Sequence, residues 1–336
     1  MNISVIIPCR NEEHYIEECI QAFLKQDYDL GKFEVLVIDG MSDDDTRKII
    51  HENFSNNKKV RIVDNKRKTT PFALNKGIEE SKYEYIIIFG AHAKPKSDFL
   101  KRNALAIDED ESIKCAGGII HNVYLDDTAK YIGLAMSSKF GVGNAIFRTG
   151  GKKQYVDTVA FGIYDKSVFK EIGVFDVDLV RNQDDELNYR VTKNKYKILF
   201  DPKIQSEYFV RGSLTKLYKQ YFQYGYWKVF VAKKHNSVTT FRQLVPLLFF
   251  LFITIGGILA LISTTFTYLY LIGLLSYVLL AFTSSIILTN SFKAAINVFL
   301  VFPTLHWSYG WGYFKGLIDF YLIKKKPGEK HEKITR

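Results

Sequence analysis

The sequence predicts an α/β domain with a mixed, mostly parallel sheet, followed by C-terminal membrane helices. Short apolar runs alternate with helical patterns through the first half of the chain, an order that produces parallel strands. Between residues 244 and 323 the only formally charged side chains are Lys293, Lys315 and Asp319. Such a stretch cannot form the surface of a soluble domain. The length of 336 residues accommodates both parts.

The first four strands are predicted from short apolar runs that are rich in β-branched residues. They cover residues 4–7, 33–38, 60–63 and 85–89. Helices are predicted between them, over residues 12–26, from Ser42 to Asp45 onward, and over residues 71–82. Since strands joined by helices pair in parallel, we expect nucleotide chemistry at the carboxyl ends of these strands.

In the middle of the chain the predicted helices and strands no longer alternate strictly. The patterns predict helices over residues 98–107, 128–148 (passing into a loop), 166–173 and 184–193, and strands over residues 116–122, 155–164 and 197–200. The stretch 213–234 is aromatic and basic, which predicts one or two helices at a membrane surface. The α/β domain is therefore expected to cover residues 1–234, including these interfacial helices.

Two segments, 244–263 and 268–288, are each apolar over about 20 residues, enough to span a hydrocarbon core of about 30 Å. A third segment, 294–323, contains Pro303 and a Gly-rich aromatic run at 306–312, which we expect to interrupt it, so it can be spanning or re-entrant. Basic residues flank the whole region, which favours an even number of crossings. Residues 324–336 form a basic tail.

The net charge of +10 reflects Lys and Arg that cluster on both sides of the apolar region. This placement favours anionic lipid headgroups as partners and argues against nucleic acid. The three cysteines, Cys9, Cys19 and Cys115, are too widely spaced for a disulfide framework or a zinc site. The first apolar run ends at Pro8, so we expect no signal peptide and a cytoplasmic α/β domain.

Polar side chains follow the first two strands. Strand one ends in a turn that contains Pro8, Arg10, Asn11 and Glu12, and strand two ends at Asp39. A carboxylate directly after a buried strand can accept hydrogen bonds from a nucleotide base or ribose. The acids at 43–45 are interpreted mainly as helix caps.

His92 follows the fourth strand, in the run Gly90-Ala91-His92. Nucleotide-sugar enzymes often place two carboxylates here to hold a divalent metal on the diphosphate, and this sequence has neither. Imidazole suits Mn²⁺ better than Mg²⁺. The alternative is that His92 hydrogen-bonds a phosphate oxygen or the loop.

The acids at 184–186 open a helix. They can stabilise the helix dipole, or one of them can act as the general base that deprotonates an attacking sugar hydroxyl. A leaving diphosphate would also need positive charge. The candidate cations are Lys66, Arg67, Lys68 and Lys76.

The run from 220 to 228 lies just before the first span and is rich in aromatic residues. Such residues anchor helices at a membrane interface. The alternative is an acceptor site, in which Trp227 stacks on a sugar and Lys228 meets a lipid diphosphate.

Taken together, these stretches resemble family 2 glycosyltransferases with the GT-A fold, and most nearly the succinoglycan-type exopolysaccharide enzymes. The stretches that carry the resemblance are 157–162, 181–190, 220–228 and 309–312. The resemblance implies an inverting transfer from a nucleotide diphosphate sugar, with UDP as the nucleotide. It implies Asp39 as a base or ribose contact beside the turn from Pro8 to Glu12, Asp184 as general base, and Asp185, Gln220, Tyr224, Trp227 and Lys228 on the acceptor side.

Two positions depart from the family pattern. The usual Asp-x-Asp is Gly90-Ala91-His92 here, which leaves the identity of the metal open, and Gln183 stands where many relatives carry glutamate. The hypothesis is a multi-pass enzyme of the cell membrane that adds a sugar to a polyprenyl-diphosphate-linked saccharide in exopolysaccharide or surface-glycan assembly. The alternatives are a processive polysaccharide synthase and a non-catalytic membrane scaffold.

Overall fold

The computed structural model describes residues 1–237 and 241–326, with Phe241 described by its backbone alone. The chain divides into two compact units. We call residues 1–122 and 146–209 the sheet unit, and residues 123–145 and 210–326 the helical unit. This division differs from the expected boundary at residue 234, because the segments 123–145 and 210–234 group with the apolar helices. Of the predicted basic tail, residues 327–336 lie outside the described residues.

The sheet unit is built on one mixed sheet. Its strands are β1 Ile3–Cys9, β2 Phe33–Asp39, β3 Val60–Asp64, β4 Tyr85–Ile88, β5 Ala93–Pro95, β6 Ile113–Val123, β7 Gln154–Tyr155, β8 Ala160–Asp165 and β9 Lys197–Phe209. Their order is β3-β2-β1-β4-β8-β6-β9-β5, with β7 paired to β9. β1 pairs in parallel with β2 and β4, and β2 with β3, whereas β8 runs antiparallel to β4 and β6. The predicted mixed sheet is confirmed.

The helices of the sheet unit are α1 Ile16–Leu24, α2 Thr46–Phe54, α3 Thr70–Glu80, α4 Phe99–Ile107, α7 Ile146–Thr149, α8 Ser167–Ile172 and α9 Gln183–Lys193. Those of the helical unit are α5 Asp127–Met136, α6 Lys139–Val142, α10 Leu214–His235, α11 Val245–Leu251, α12 Gly257–Ala260, α13 Thr264–Leu288 and α14 Phe292–Leu317. A π-helical turn joins α11 to α12, and another extends α14 to Leu322.

Alternate residues of the central strands enter two different cores. On β1, Val5 and Ile7 pack with the first core cluster, which includes residues of α1, α2 and α4. Ile6 between them packs with the second, which includes residues of α3 and α9. Because both faces are covered, every residue of β2 is buried. The parallel strands therefore end at a single edge, and the loops at that edge are fixed from both sides.

Three strands differ from the sequence prediction. The predicted strand 155–164 is split, because Tyr155 pairs with β9 while β8 pairs with β4 and β6. β9 continues to Phe209 instead of ending at Phe200. β5 was missed because a strand of three residues shows no alternation; it exists because it pairs with the far end of β9.

The helical unit depends on close approach of helix backbones at glycines. A Cβ on Gly312 of α14 would lie 2.0 Å from the carbonyl oxygen of Phe222 on α10. A Cβ on Gly225 would lie 2.1 Å from the carbonyl oxygen of Tyr309. The glycines therefore form a helix interface, and α14 runs without a break through Pro303 and residues 306–312. The expectation that this run interrupts the third segment is wrong.

Within the described residues, two helices are long and apolar enough to cross a membrane, Arg242–Ala260 and Thr264–Leu288. They coincide with the predicted segments 244–263 and 268–288. Only 11% of the most apolar window of each helix is buried, so large apolar side chains such as Leu248, Ile272 and Leu279 remain exposed. Exposed apolar surface of this extent is typical of a membrane-facing helix.

Candidate active site

The loops after β1 and β2 are joined by reciprocal hydrogen bonds. Asn11 adopts a left-handed backbone conformation (φ 55°). Its side-chain Nδ2 donates to Asp43 Oδ1 at 2.5 Å, and its Oδ1 accepts from the backbone N–H of Asp43 at 3.1 Å. The backbone N–H of Glu12 donates to Thr46 Oγ1 at 2.8 Å, and the N–H of Asp45 donates to Glu13 at 2.9 Å. The acids after Asp39 therefore do more than cap α2, because they also hold the β1 turn in place.

Asp39 lies at the predicted edge but is fully buried. Its carboxylate accepts hydrogen bonds from Ser42 Oγ at 2.5 Å and from Arg47 Nη1 at 2.6 Å. Arg47 also bonds Asp64 at 2.8 Å, and the bonds to Asp39 and Asp64 raise the pKa of its guanidinium. A nucleotide would reach Asp39 only by replacing the bond to Ser42 or Arg47.

Arg10 lies against the start of the β2 loop. A Cβ on Gly40 would come within 3.3 Å of Arg10 Cβ and Cδ, and within 3.2 Å of the Lys68 carbonyl oxygen. Glycine at position 40 therefore lets the β1 turn, the β2 loop and the loop after β3 meet closely. Pro8 lies in β1, one residue before this turn.

Lys76 lies away from this edge. Its ammonium group pairs with Glu79 at 3.1 Å and Glu80 at 3.0 Å, and these bonds raise its pKa. Glu80 also contacts Arg61 near the beginning of β3, at the opposite edge of the sheet. We therefore do not carry Lys76 into the proposed donor site.

His92 is held from two sides in the loop after β4. Its Nδ1 lies 3.3 Å from Glu12 Oε1, and its backbone carbonyl accepts from the N–H of Phe209 at 3.3 Å. Its ring makes an edge contact with the Tyr208 ring, at 5.1 Å between centroids. With Nδ1 directed at Glu12, Nε2 is the ring nitrogen that remains for a ligand.

Position 90, where the carboxylate is missing, faces an aromatic ring. A Cβ on Gly90 would lie 3.1 Å from Phe161 Cε1, and the Phe161 ring already packs on Phe89 at 4.4 Å between centroids. The described residues contain no group of three or more His, Cys, Asp or Glu side chains that could hold a metal ion. His92 and Glu12 thus fit only an ion that is held mainly by the phosphates of a substrate.

Asp184 is exposed in the first turn of α9, and its Oδ1 accepts from the N–H of Asp185 at 2.9 Å. One turn later, Asn188 donates to Thr158 Oγ1 at 2.9 Å. Thr158 precedes β8, which is antiparallel to β4, so it lies at the edge where β4 ends. This bond ties α9 to the edge that carries Asp39 and His92.

The third acid of this helix has a structural role. Glu186 is fully buried and bonds Arg190 through both oxygens, at 2.8–3.1 Å. Arg190 donates in turn to the carbonyl oxygens of Ile172, Gly173 and Val174. Of the three acids, Glu186 thus has a structural role, whereas Asp184 is the exposed one.

The predicted acceptor residues belong to α10 in the helical unit. Gln220 donates to the Tyr224 hydroxyl at 2.8 Å. Lys228 is buried. Trp227 is only 2% exposed, and its ring contacts Phe230 and Phe320. Because its faces are covered, the expectation that Trp227 stacks on a sugar is corrected: it is a core residue of the helical unit.

Arg47 and Arg148 are the residues that sequence analysis missed. Arg47 lies one residue inside α2, where no motif marks it. Arg148 lies on α7, and its Cζ is 5.4 Å from the centroid of the Tyr208 ring that contacts His92. No sequence pattern links position 148 to positions 92 and 208, and the proximity of the last two arises from the pairing of β5 with β9.

The fold and this edge define a nucleotide-handling α/β enzyme, since ligands of such sheets bind outside the carboxyl ends of the strands. Residues 4–173 match the model of glycosyl transferase family 2. The chain belongs to this family and is a glycosyltransferase with a GT-A-like fold.

Two relatives cover most of the chain. A dolichyl N-acetyl-alpha-D-glucosaminyl phosphate 3-beta-D-2,3-diacetamido-2,3-dideoxy-beta-D-glucuronosyltransferase of Methanococcus voltae is 34% identical, over 69% of this chain and 74% of the relative. The succinoglycan biosynthesis protein ExoA of Rhizobium meliloti is 29% identical, over 72% of this chain and 74% of the relative. The mannosyltransferase PcManGT of Pyrobaculum calidifontis, solved with GDP-Man and Mn²⁺, is similar in fold (TM-score 0.60, 16% identity, 95% of this chain and 87% of that chain).

Proposed function

We propose that this protein is an inverting glycosyltransferase that moves a sugar from a nucleotide-sugar to a lipid-linked acceptor. One observation carries the proposal: Asp184 is exposed at the start of a helix that Thr158 and Asn188 tie to the edge carrying Asp39 and His92. A base on that edge can meet a donor that binds at the strand ends.

The chemistry is a single displacement. The acceptor hydroxyl oxygen attacks the anomeric carbon, and its proton passes to the Asp184 carboxylate. The bond from the anomeric carbon to the diphosphate oxygen breaks on the opposite face, and the electron pair leaves with the nucleoside diphosphate. Attack opposite the leaving group inverts the anomeric configuration.

The donor site is proposed at Pro8, Arg10, Asn11, Glu12 and Asp39, with UDP as the nucleotide on family grounds. A divalent cation on the diphosphate would be held by His92 and would offset the charge of the leaving group. We favour Mn²⁺ over Mg²⁺ because imidazole is a better ligand for Mn²⁺, and the structural neighbour binds Mn²⁺ with its sugar nucleotide.

The acceptor is proposed to be a polyprenyl-diphosphate-linked saccharide, with Asp185 contacting it in the sheet unit. Gln220, Tyr224 and Lys228 of α10 stay predicted acceptor residues of the helical unit. The name of the archaeal relative describes a dolichyl-phosphate-linked acceptor, and the Rhizobium relative takes part in succinoglycan synthesis. Two exposed apolar helices would keep the enzyme beside such an acceptor. We place it in the cell membrane with two crossings and a cytoplasmic sheet unit, in exopolysaccharide or surface-glycan assembly.

Replacement of Asp184 by asparagine tests the proposal. Asp184→Asn should lower transfer about 10²- to 10⁴-fold, because general base catalysis typically contributes that much, while nucleotide binding persists. Asp178→Asn, which alters another exposed acid shortly before α9, is the matched control. Both variants are assayed with radiolabelled nucleotide-sugar and membrane lipid, and the length of the product distinguishes single addition from processive synthesis. Full activity of the Asp184 variant would refute the assignment.

A further inference from the structure

Arg148 is partly exposed, and its guanidinium lies on aromatic rings. Its guanidinium lies over the Tyr208 ring at 5.4 Å and over the Phe147 ring at 5.6 Å from the centroids. Arginine planes stack on aromatic rings and still present their N–H groups at the edge of the plane. Stacking therefore fixes the direction of these donors without using them.

One of these donors is buried without a partner. Nη1 of Arg148 is inaccessible to solvent and has no hydrogen-bond acceptor among the residues that the structure describes. A buried donor left unpaired destabilises a protein, more so when the donor is charged. In a folded enzyme such an atom requires a physical reason, and one such reason is an acceptor that a ligand brings once the side chain turns toward it.

The position of Arg148 identifies the ligand. Tyr208, on which Arg148 stacks, also contacts the ring of His92 in the loop after β4. That loop carries Gly90 in place of a carboxylate, and Phe161 occupies the adjacent space. The loop after β4 thus offers few metal ligands. The guanidinium of Arg148 lies close to this loop through Tyr208.

We propose that Arg148 binds the diphosphate of the nucleotide-sugar donor, through a hydrogen bond from Nη1 to a phosphate oxygen. The inference rests on the proposed function and assigns a specific residue to the leaving group. As the bond to the anomeric carbon breaks, negative charge grows on the diphosphate, and the guanidinium stabilises it. Arg148 thereby supplies part of the positive charge that a metal ion held by two carboxylates supplies in enzymes with Asp-x-Asp.

The test compares nucleotides that differ by one phosphate. Binding of UDP and UMP, and of GDP and GMP, is measured by calorimetry on the detergent-solubilised full chain, with and without Mn²⁺. Arg148→Gln should weaken binding of the preferred diphosphate about 10- to 100-fold, the range for a charged hydrogen bond, and should change monophosphate binding much less. Arg102→Gln is the matched control, because Arg102 pairs with Asp98 on the surface of α4.

The outcomes separate the two proposals. Wild-type protein that binds neither diphosphate more tightly than its monophosphate would contradict the proposed donor site. Wild-type preference for a diphosphate that persists in Arg148→Gln would overturn the role of Arg148 alone. Equal weakening for diphosphate and monophosphate would also overturn it, since that result indicates a general structural role. If the glutamine variant does not fold, Arg148→Lys receives the same comparison. Lysine keeps the positive charge but has no Nη1, so a weakened diphosphate preference supports the bond from Nη1 and an unchanged preference overturns it.

Discussion

His92 shows how a single side chain can be prepared for a ligand by its neighbours. Glu12 lies 3.3 Å from Nδ1, and the Phe209 amide fixes the backbone. A carboxylate on one ring nitrogen sets the tautomer and leaves the other nitrogen as the acceptor. The β1 turn and the β4 loop, which are distant in sequence, thus act together on one imidazole.

We expect His92→Ala to lower the Mn²⁺-dependent part of nucleotide diphosphate affinity about 10- to 100-fold, the cost typical of losing a partner at a metal site. Binding without Mn²⁺ should change little. Titration calorimetry with and without Mn²⁺ measures both quantities. His51→Ala, an exposed histidine on α2, is the control. Unchanged dependence on Mn²⁺ in the His92 variant would leave only the alternative that His92 bonds a phosphate or the loop.

Solvent exposure of the carboxylate separates the acids that hold the fold together from the acid that is proposed to act in catalysis. Asp44 is an example of the first kind: although burial raises its pKa, hydrogen bonds from Thr46 and Glu13 lower it. Glu186 is another, buried against Arg190. Asp184, two positions before Glu186, is exposed. Burial raises the pKa of Tyr164 most, and interactions with Cys115 and then the charge of Asp184 raise it further.

At the scale of elements, α10 and α14 act as one body because glycines let their backbones touch. The nearest atoms are backbone oxygens, which cannot rotate away as a side chain can. A hydrogen bond from the Tyr226 hydroxyl to Asp319 at 3.0 Å joins the same helices near the end of α14. Lys315 and Lys325 also pair with Asp319, so its buried charge is matched.

Gly312→Ala should therefore destabilise the protein by at least about 1–3 kcal/mol, the usual cost of overpacking, because the new Cβ would lie 2.0 Å from the Phe222 oxygen. Gly257→Ala is the matched control. Its Cβ would meet nothing closer than 3.7 Å, and alanine favours the helix by up to about 1 kcal/mol. Thermal unfolding in detergent compares the two. A melting temperature for Gly312→Ala equal to that of the wild type would show that the helices separate easily.

At the scale of the whole molecule, the three cysteines are separate thiols in the interior. Cys9, Cys19 and Cys115 are all buried and unbridged. Burial raises the pKa of the Cys115 thiol to about 12. Burial, and after it the charges of Glu12 and Glu18, also raise the pKa of Cys19.

A thiol whose pKa is raised forms less of the reactive thiolate at a given pH. At pH 8 we therefore expect maleimide to spare Cys19 and Cys115 in the native protein. After unfolding their pKa returns to about 8.5, so all three cysteines should react. Mass spectrometry of protein labelled with and without denaturant counts the adducts. Rapid labelling of Cys115 in the native state would contradict its burial at the centre of the sheet.

The sequence alone determined the features that depend on local pattern. Apolar runs predicted β1 to β4, and hydropathy predicted the two exposed helices. Both predictions succeed because the composition of a segment determines whether that segment is buried or faces a membrane. The site positions at the strand ends followed from parallel pairing, so Asp39, His92 and the turn at Glu12 could be expected on one edge.

Only the tertiary structure decided which side chains are available. Trp227 and Lys76 carry the right chemistry in the sequence, but one is buried and the other is paired away from the edge. Tyr208, on whose ring Arg148 lies, comes beside His92 through the pairing of β5 with the far end of β9, a contact between residues more than 100 positions apart. Such long-range pairing produces no periodic pattern in the sequence, because it depends on the packing of the complete sheet.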